Sequence, residues 1–213
     1  MALARFITFE GGEGSGKSTQ ARLLADRLRA EGIDALVTRE PGGSAFAEQV
    51  RALILDPAIA PHCVLSEALL FYAARADHLD KLIRPALAHG RWVICDRFSD
   101  STRVYQGMAG GLPRDILDSL EEMVVAPTRP DLTIVLDIAP ELGLERASHR
   151  RRIPAQADAY ETRDLAYHQR LRQGFAIIAN EEPRRCFLID GAREPGAIAA
   201  DVWSRVHPLA GAR

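Results

Sequence analysis

The sequence predicts an α/β domain of three layers, with a five-stranded parallel sheet between helices, and three observations predict it. Five short apolar runs recur along the 213 residues, at Phe6–Phe9, Ala35–Thr38, Trp92–Cys95, Thr133–Leu136 and Cys186–Ile189. Each is apolar at consecutive positions and rich in β-branched or bulky residues, as strands covered on both faces are. Helical patterns lie between the runs, and strands that alternate with helices become parallel neighbours. Directly after the first run comes Gly11-Gly12-Glu13-Gly14-Ser15-Gly16-Lys17-Ser18, a G-x-x-x-x-G-K-[ST] loop that opens a helix.

The first helix carries Leu23, Leu24 and Leu28 at helical spacing and meets Gly32, a residue suited to end it. Ser44 and Ser66 stand where N-caps of the next two helices are expected. Phe71 and Arg75, four apart, share a face of the second of these. One stretch breaks the alternation. From His149 to Arg163 the chain reads HRRRIPAQADAYETR, with four arginines, a proline and few core residues. It reads as an exposed cationic excursion, a short lid at about 149–163 on an otherwise single domain spanning 1–213. No repeat, low-complexity tract or linker divides that domain.

Bulk properties exclude several classes. Net charge is −2, so no basic excess argues for nucleic acid or an anionic membrane. Hydrophobic residues make up 47%, ordinary for a globular core, yet no 18-residue apolar run marks a membrane span. The three cysteines, Cys63, Cys95 and Cys186, show no CxxC spacing, and Cys95 and Cys186 fall in apolar runs. A reduced, cytoplasmic setting is expected, and Phe6 follows Met1 too closely to leave room for a signal peptide. Only two lysines occur, Lys17 and Lys81, and one of them sits in the glycine loop.

That loop has a chemical reading. Gly11, Gly12, Gly14 and Gly16 let the backbone of residues 11–19 wrap closely enough for its N–H groups to surround phosphate oxygens, and the helix N-terminus adds a favourable potential. Lys17 is then expected to hold the β- and γ-phosphates of ATP, with the Ser18 hydroxyl on Mg²⁺. Glu13, Ser15 and Thr19 complete the nucleotide-binding stretch. A guanine-reading Asn-Lys-x-Asp is absent, since Asn180 is the sole asparagine and glutamate follows it. A transporter-type Ser-Gly-Gly signature is absent too, which leaves the small kinases.

Such a kinase must hold a second anion opposite the loop. Two segments offer cations at the ends of the second and third strands, where ligands of an open parallel sheet bind. They are Thr38-Arg39-Glu40-Pro41-Gly42-Gly43-Ser44, with Arg51 beyond it, and Asp96-Arg97-Phe98-Ser99-Asp100-Ser101-Thr102. TREPGGS, DRFSDST followed by Tyr105-Gln106-Gly107, the GGEGSGKST loop and the late YHQRLRQGF together resemble bacterial thymidylate kinases over nearly the whole chain. The resemblance implies a P-loop nucleoside-monophosphate-kinase fold and transfer of the ATP γ-phosphoryl to dTMP, in dTTP biosynthesis. It implies that Arg97 clamps the dTMP phosphate, with Arg39 and Arg51 nearby. It puts Phe71 and Arg75 on the thymine ring and its O4, and Ser101, Thr102 and Gln106 around the base N3 and the sugar. Glu13 falls near the 3′-hydroxyl and Tyr105 where a ribose 2′-hydroxyl would point. Asp96 is expected to serve Mg²⁺ through water or to position the acceptor, with Asp137, ending the fourth run, as its rival.

The sequence also departs from the family. Gly14 stands where the eukaryotic type has an arginine, so the catalytic cation is expected from Arg146, Arg150, Arg151 or Arg152, with Arg150 best by position. The family's acidic-Arg-aromatic-Glu lid motif appears as Asp158-Ala159-Tyr160-Glu161, and Arg103 replaces a commonly apolar residue. Two further expectations rest on the resemblance, a cis Glu40–Pro41 bond and a homodimer packed through the apolar face of Ser66–Leu87. The rival readings are another nucleoside-monophosphate or deoxynucleoside kinase, and a P-loop ATP-binding regulator without turnover.

Overall fold

A computed structural model describes residues 4–59, 62–150 and 159–211, without the side chain of Arg150. The chain runs β1 (Phe6–Glu10), α1 (Lys17–Ala30), β2 (Ala35–Arg39), α2 (Ala45–Leu55), α3 (Val64–His78), a π-helical turn at Leu79–Ile83 and α4 (Arg84–Ala88). It continues through β3 (Trp92–Asp96), α5 (Ser99–Thr102), a π-helical turn at Arg103–Met108, α6 (Arg114–Val124), β4 (Leu132–Asp137), α7 (Pro140–Arg150), α8 (Leu165–Glu181), β5 (Cys186–Asp190) and α9 (Pro195–Gly211). The five strands form one parallel sheet in the order β2-β3-β1-β4-β5. Among the described residues no helix is long and apolar enough to cross a membrane.

Both faces of the sheet are covered. On one face Ile7, Phe9, Trp92, Ile134 and Leu136 pack against Leu24 and Leu28 of α1 and Ile198, Val202 and Val206 of α9. On the other, Phe6, Val93 and Cys95 meet Tyr72, Leu79 and Phe98, while Val135 and Cys186 meet Leu171, Phe175 and Ile178 of α8. Cys95 and Cys186 are core residues as expected, and Cys63 is exposed.

Local signals account for most boundaries. Gly32 takes φ +77 just past α1, and Ile33 N donates back to Leu28 O, which closes the helix end. Ser44 caps α2 by accepting from Ala47 N. Ser66 does not cap α3. The helix begins at Val64, and the Cys63 sulfur is the acceptor that receives Ser66 N. Thiol sulfur is a weak acceptor, and its capping role is invisible to a search for hydroxyls and carboxamides. Glu40–Pro41 is cis, as expected, and so is Ala126–Pro127. Arg103 pairs with Asp100 at 2.9 Å and Glu182 at 2.5 Å, tying the second π-helical turn to the end of α8.

The segment 149–163 is only partly what its composition suggests. His149 and Arg150 end α7, and residues 151–158, including Arg151, Arg152 and Asp158, lie outside the described residues. Ala159 and Tyr160 are buried, and Ala159 N donates to Leu55 O at 3.3 Å. Ala159 and Tyr160 are therefore core, fixed by an aromatic side chain that charge counting passes over, while Thr162 and Arg163 are exposed.

Candidate functional site

The glycine loop turns between β1 and α1 with Gly11, Gly14 and Gly16 at positive φ. Lys17, the first residue of α1, is buried beneath it, and its Nζ donates to Gly12 O at 2.7 Å, Gly11 O at 3.2 Å and Ser15 Oγ at 3.2 Å. Burial, and then the nearby Arg97, lower the Lys17 pKa to about 8 against the pull of Glu13, Asp96 and Glu10. The Ser18 hydroxyl donates to Asp96 at the end of β3. Asp137 is occupied elsewhere, by Arg172 through two hydrogen bonds of 2.7 Å. Asp96 thus bonds the loop directly, whereas Asp137 lines a neighbouring pocket beside Gly11, Gly12 and Glu13.

Arg97 follows with φ +69, the single non-glycine residue at positive φ among the described residues. This backbone turns its guanidinium across the loop, where it donates to Glu13 at 2.6 Å, Gly11 O at 2.9 Å and Ser101 Oγ at 3.2 Å. Tyr105 Oη donates to the same Glu13 oxygen at 3.0 Å. Burial alone would raise the Glu13 pKa, but Arg97 and Lys17, with the Tyr105 hydrogen bond, outweigh it and hold it at about 2. Behind them the buried Glu10 accepts from Phe98 N, Ser101 N and Ser101 Oγ, clamping β1 to the Arg97 segment.

Lys17, Ser18, Arg39, Arg51, Asp96 and Arg97 line one cleft, so four cations converge there. Arg39 is half-exposed and bidentate to Glu48, and Arg51 donates to Pro41 O at 2.8 Å. A second cavity adjoins it, lined by Glu13, Arg51, Phe71, Arg75, Arg97, Ser101, Thr102, Tyr105, Gln106 and Tyr160. Every residue expected near the acceptor lines one of these two spaces. A third cleft runs along the outer side of the loop, past Thr19, toward residues 191–195.

Arg75 is 1% exposed and not a solvated surface cation. Its Nε donates to Glu40 at 2.8 Å and one terminal nitrogen to Thr102 at 3.1 Å, with its guanidinium over the Tyr72 and Phe98 rings. His78, fully buried, holds the other Glu40 oxygen at 3.0 Å and Thr38 at 2.8 Å. Gln106 donates to Glu67 at 3.0 Å and to Tyr160 Oη at 3.2 Å. Two polar atoms of residues lining the second cavity are buried without a hydrogen-bond partner, Arg75 Nη1 and Gln106 Oε1.

Glu10, Glu67 and His78 escaped the sequence reading. A signal was present for two of them. Glu67 and His78 lie on the helical stripe that joins Phe71 to Arg75, one turn before and about one turn after. Of the candidate lid cations, Arg146 donates to Gly191 O at 2.8 Å and Ala192 O at 3.0 Å, bracing α7 against the loop after β5. The side chain of Arg150 and all of Arg151 and Arg152 lie outside the described residues.

Comparison with known proteins agrees with this geometry. A family model described as thymidylate kinase matches residues 9–202. A thymidylate kinase of Nitrobacter winogradskyi is 50% identical over 206 residues, 97% of this chain and 89% of that one. One from Caulobacter vibrioides is 51% identical over 197 residues, 92% of this chain and 93% of its own. The crystal structure of thymidylate kinase from Ehrlichia chaffeensis superposes with a TM-score of 0.75 at 34% identity, covering 95% of this chain and 98% of that one. Matched over almost its full length by the family model, by relatives of about 50% identity and by a shared fold, the chain belongs to the thymidylate kinase family.

Proposed function

We propose that this chain transfers the γ-phosphoryl group of ATP to dTMP, giving dTDP and ADP, in dTTP biosynthesis. The observation that carries the base assignment is the pair of buried atoms Arg75 Nη1 and Gln106 Oε1. One is a donor and the other an acceptor. Thymine offers an acceptor at O4 and a donor at N3 beside it, whereas cytosine presents a donor and an acceptor in the reverse sense. A buried polar group left unpaired costs about 1–3 kcal/mol, so a base that satisfies both atoms is favoured over one that opposes both.

The chemistry needs two anions in line with their charge neutralised. Lys17 and the N–H groups of residues 11–19 hold the β- and γ-phosphates. Arg97, with Arg39 and Arg51 beside it, holds the phosphate of dTMP. An oxygen of that phosphate attacks the γ-phosphorus, and the bond to the bridging β–γ oxygen breaks to release ADP. No protein nucleophile takes part. Glu13, held by Arg97 and Tyr105, faces the sugar, where Tyr105 leaves no room for a 2′-hydroxyl.

Ser18 and Asp96 supply hydroxyl and carboxylate oxygens of the kind Mg²⁺ takes alongside substrate phosphates. Among the described residues no cluster of three His, Cys, Asp or Glu forms a protein-only cage, which suits a cation shared with a nucleotide. Bound there, Mg²⁺ supplies neutralisation of the phosphate charge. Residues 1–213 form a single domain whose segment at about 149–163 is a lid carrying Arg150, and the active species is a cytoplasmic homodimer. ADP release with dTMP, dUMP, dCMP, dGMP and thymidine as acceptors tests the function. Turnover greatest with dTMP is expected, and equal release without any acceptor would point to an ATP-binding regulator.

A further inference from the structure

We propose that Glu67 is a positioning residue that decides which way the Gln106 amide faces, and so decides that the pocket reads thymine and not cytosine. The proposal rests on the dTMP reading above and adds to it the group that sets its polarity. Glu67 lies in the first turn of α3 and is 8% exposed. Its Oε2 accepts from Gln106 Nε2 at 3.0 Å and from Tyr160 Oη at 3.1 Å, and Gln106 Nε2 lies 3.2 Å from Tyr160 Oη.

A carboxylate accepts hydrogen bonds and does not donate them. Turning the Gln106 amide over would set its Oε1 against Glu67 Oε2, acceptor against acceptor, inside a buried site. Tyr160 gives no relief, because its single proton already goes to Glu67. The amide is therefore locked with nitrogen toward Glu67 and oxygen left over, and that oxygen is the atom without a partner. Glutamine itself carries no such preference, since either end of its amide can face a base. Arg75 can only donate, so the one polarity left open in the pair is that of Gln106, and Glu67, which touches no substrate, sets it. The same helix face carries Glu67, Phe71 and Arg75 at successive turns, so α3 presents the base with an orienter, a ring and a donor.

The test compares kcat/KM for dTMP and dCMP in the full chain, the Glu67→Gln variant and the double variant Glu67→Gln/Gln106→Glu. The single variant places an amide at position 67 that can donate, so Gln106 is free to turn over. The dTMP/dCMP ratio is expected to fall at least ~10-fold, mainly through KM for dTMP, with kcat at saturation less affected. In the double variant the introduced carboxylate accepts from position 67 and from Tyr160, and its other oxygen still accepts. The ratio is expected to return to within a few-fold of the parent's, which restored stability alone would not produce.

A parent that prefers dTMP, with the single variant keeping the same ratio, overturns the role of Glu67 and leaves the function standing. A parent without preference for dTMP overturns both. Should the single variant not fold, the double variant decides, a parental ratio supporting the proposal and a collapsed one refuting it.

Discussion

The backbone of Gly14 lies against the backbone of Gly143 so closely that neither residue has room for a β-carbon. A methyl group at Gly14 would run into the Gly143 carbonyl, and one at Gly143 would run into the carbonyl of Glu13. The first residue sits in the phosphate loop at φ +66 and the second in α7, so a helix seals the side of the loop. This packing gives a physical reason why position 14 carries no cation, since any side chain there requires α7 to move away.

Gly143→Ala sets two effects against each other. Helix propensity favours alanine over glycine by about 1 kcal/mol. Forcing a methyl into a closed contact costs about 1–3 kcal/mol, and here the opposing atom is a backbone carbonyl that cannot rotate aside. The contact is expected to win, lowering the thermal midpoint and weakening ATP binding several-fold as the loop shifts. A higher midpoint with unchanged KM for ATP would show that α7 gives way freely.

Glu10 predicts a specific pH dependence. Burial and the charge of Asp100 raise its pKa to about 7, against the hydrogen bonds from Ser101 and Phe98 and the charge of Arg97. The unfolded chain loses this proton near pH 4.5 and the folded chain near 7, so between those values the folded state binds more protons. Its contribution to stability is full below about pH 4.5 and declines as pH rises to about 7. Glu10→Gln can keep the same partners, with its oxygen toward the two N–H groups and its nitrogen toward Ser101 Oγ. Urea unfolding at pH 5 and pH 8 should show the variant gaining on the parent by up to about 3 kcal/mol at the higher pH. A constant difference across that range would refute the assignment.

How far these features could be read from sequence depended on which physical signal each leaves. Phe6–Phe9 and its four counterparts were legible because burial on both faces writes continuous apolarity. Each apolar run nevertheless stops one residue short of its strand, whose last residues are Glu10, Arg39, Asp96, Asp137 and Asp190, and of these Asp96 and Asp137 were legible as strand ends. Those residues close the strands at the edge of the sheet where the clefts open, so they are polar while still in the ladder. Arg75 was legible as a functional cation through its spacing from Phe71. Its partner Glu40, the His78 that holds the other oxygen of that carboxylate, and the Glu67–Gln106–Tyr160 triangle depend on helices and loops meeting across 35 to 93 residues of chain. No local pattern encodes that meeting.

Arg97 combines a site role with a backbone that disfavours it. A side chain at φ +69 costs about 1 kcal/mol relative to glycine. Arg97→Ala and Arg97→Gly should both weaken dTMP binding as well as rate, because both delete the guanidinium. Denaturant unfolding should find the glycine variant more stable than the alanine variant by about 1 kcal/mol. Equal stability would mean that the loop relaxes out of this conformation once the side chain is gone.

The proposed homodimer has a candidate surface. Leu65 and Leu69, one turn apart on α3, are 41% and 49% exposed, and Phe46 on the neighbouring α2 is 48% exposed. Apolar side chains on one face of packed helices gain by being covered. Light scattering at micromolar concentration is expected to give twice the chain mass, and Leu69→Glu to shift the population toward monomer. A monomer mass for the parent chain would refute the homodimer.

The catalytic cation is the last expectation, and the geometry narrows where it comes from. Gly14 offers no charge and no room for one. Arg146 is held by the carbonyls of Gly191 and Ala192, which directs it to bracing the loop after β5. Arg150 closes α7, the helix that flanks the phosphate loop through Gly143, and it is the proposed source of the cation. An arginine that meets the transferring phosphoryl group can be worth ~10³–10⁵ in rate. Arg150→Ala is therefore expected to lower kcat at least ~10²-fold while leaving dTMP binding nearly unchanged, since the contact forms mainly in the transition state. Arg97→Ala, by contrast, should raise the dissociation constant for dTMP as well. If Arg150→Ala, Arg151→Ala and Arg152→Ala each keep near-parental kcat, no lid arginine carries the charge. The neutralisation would then fall to Lys17 and the cations already gathered around Asp96.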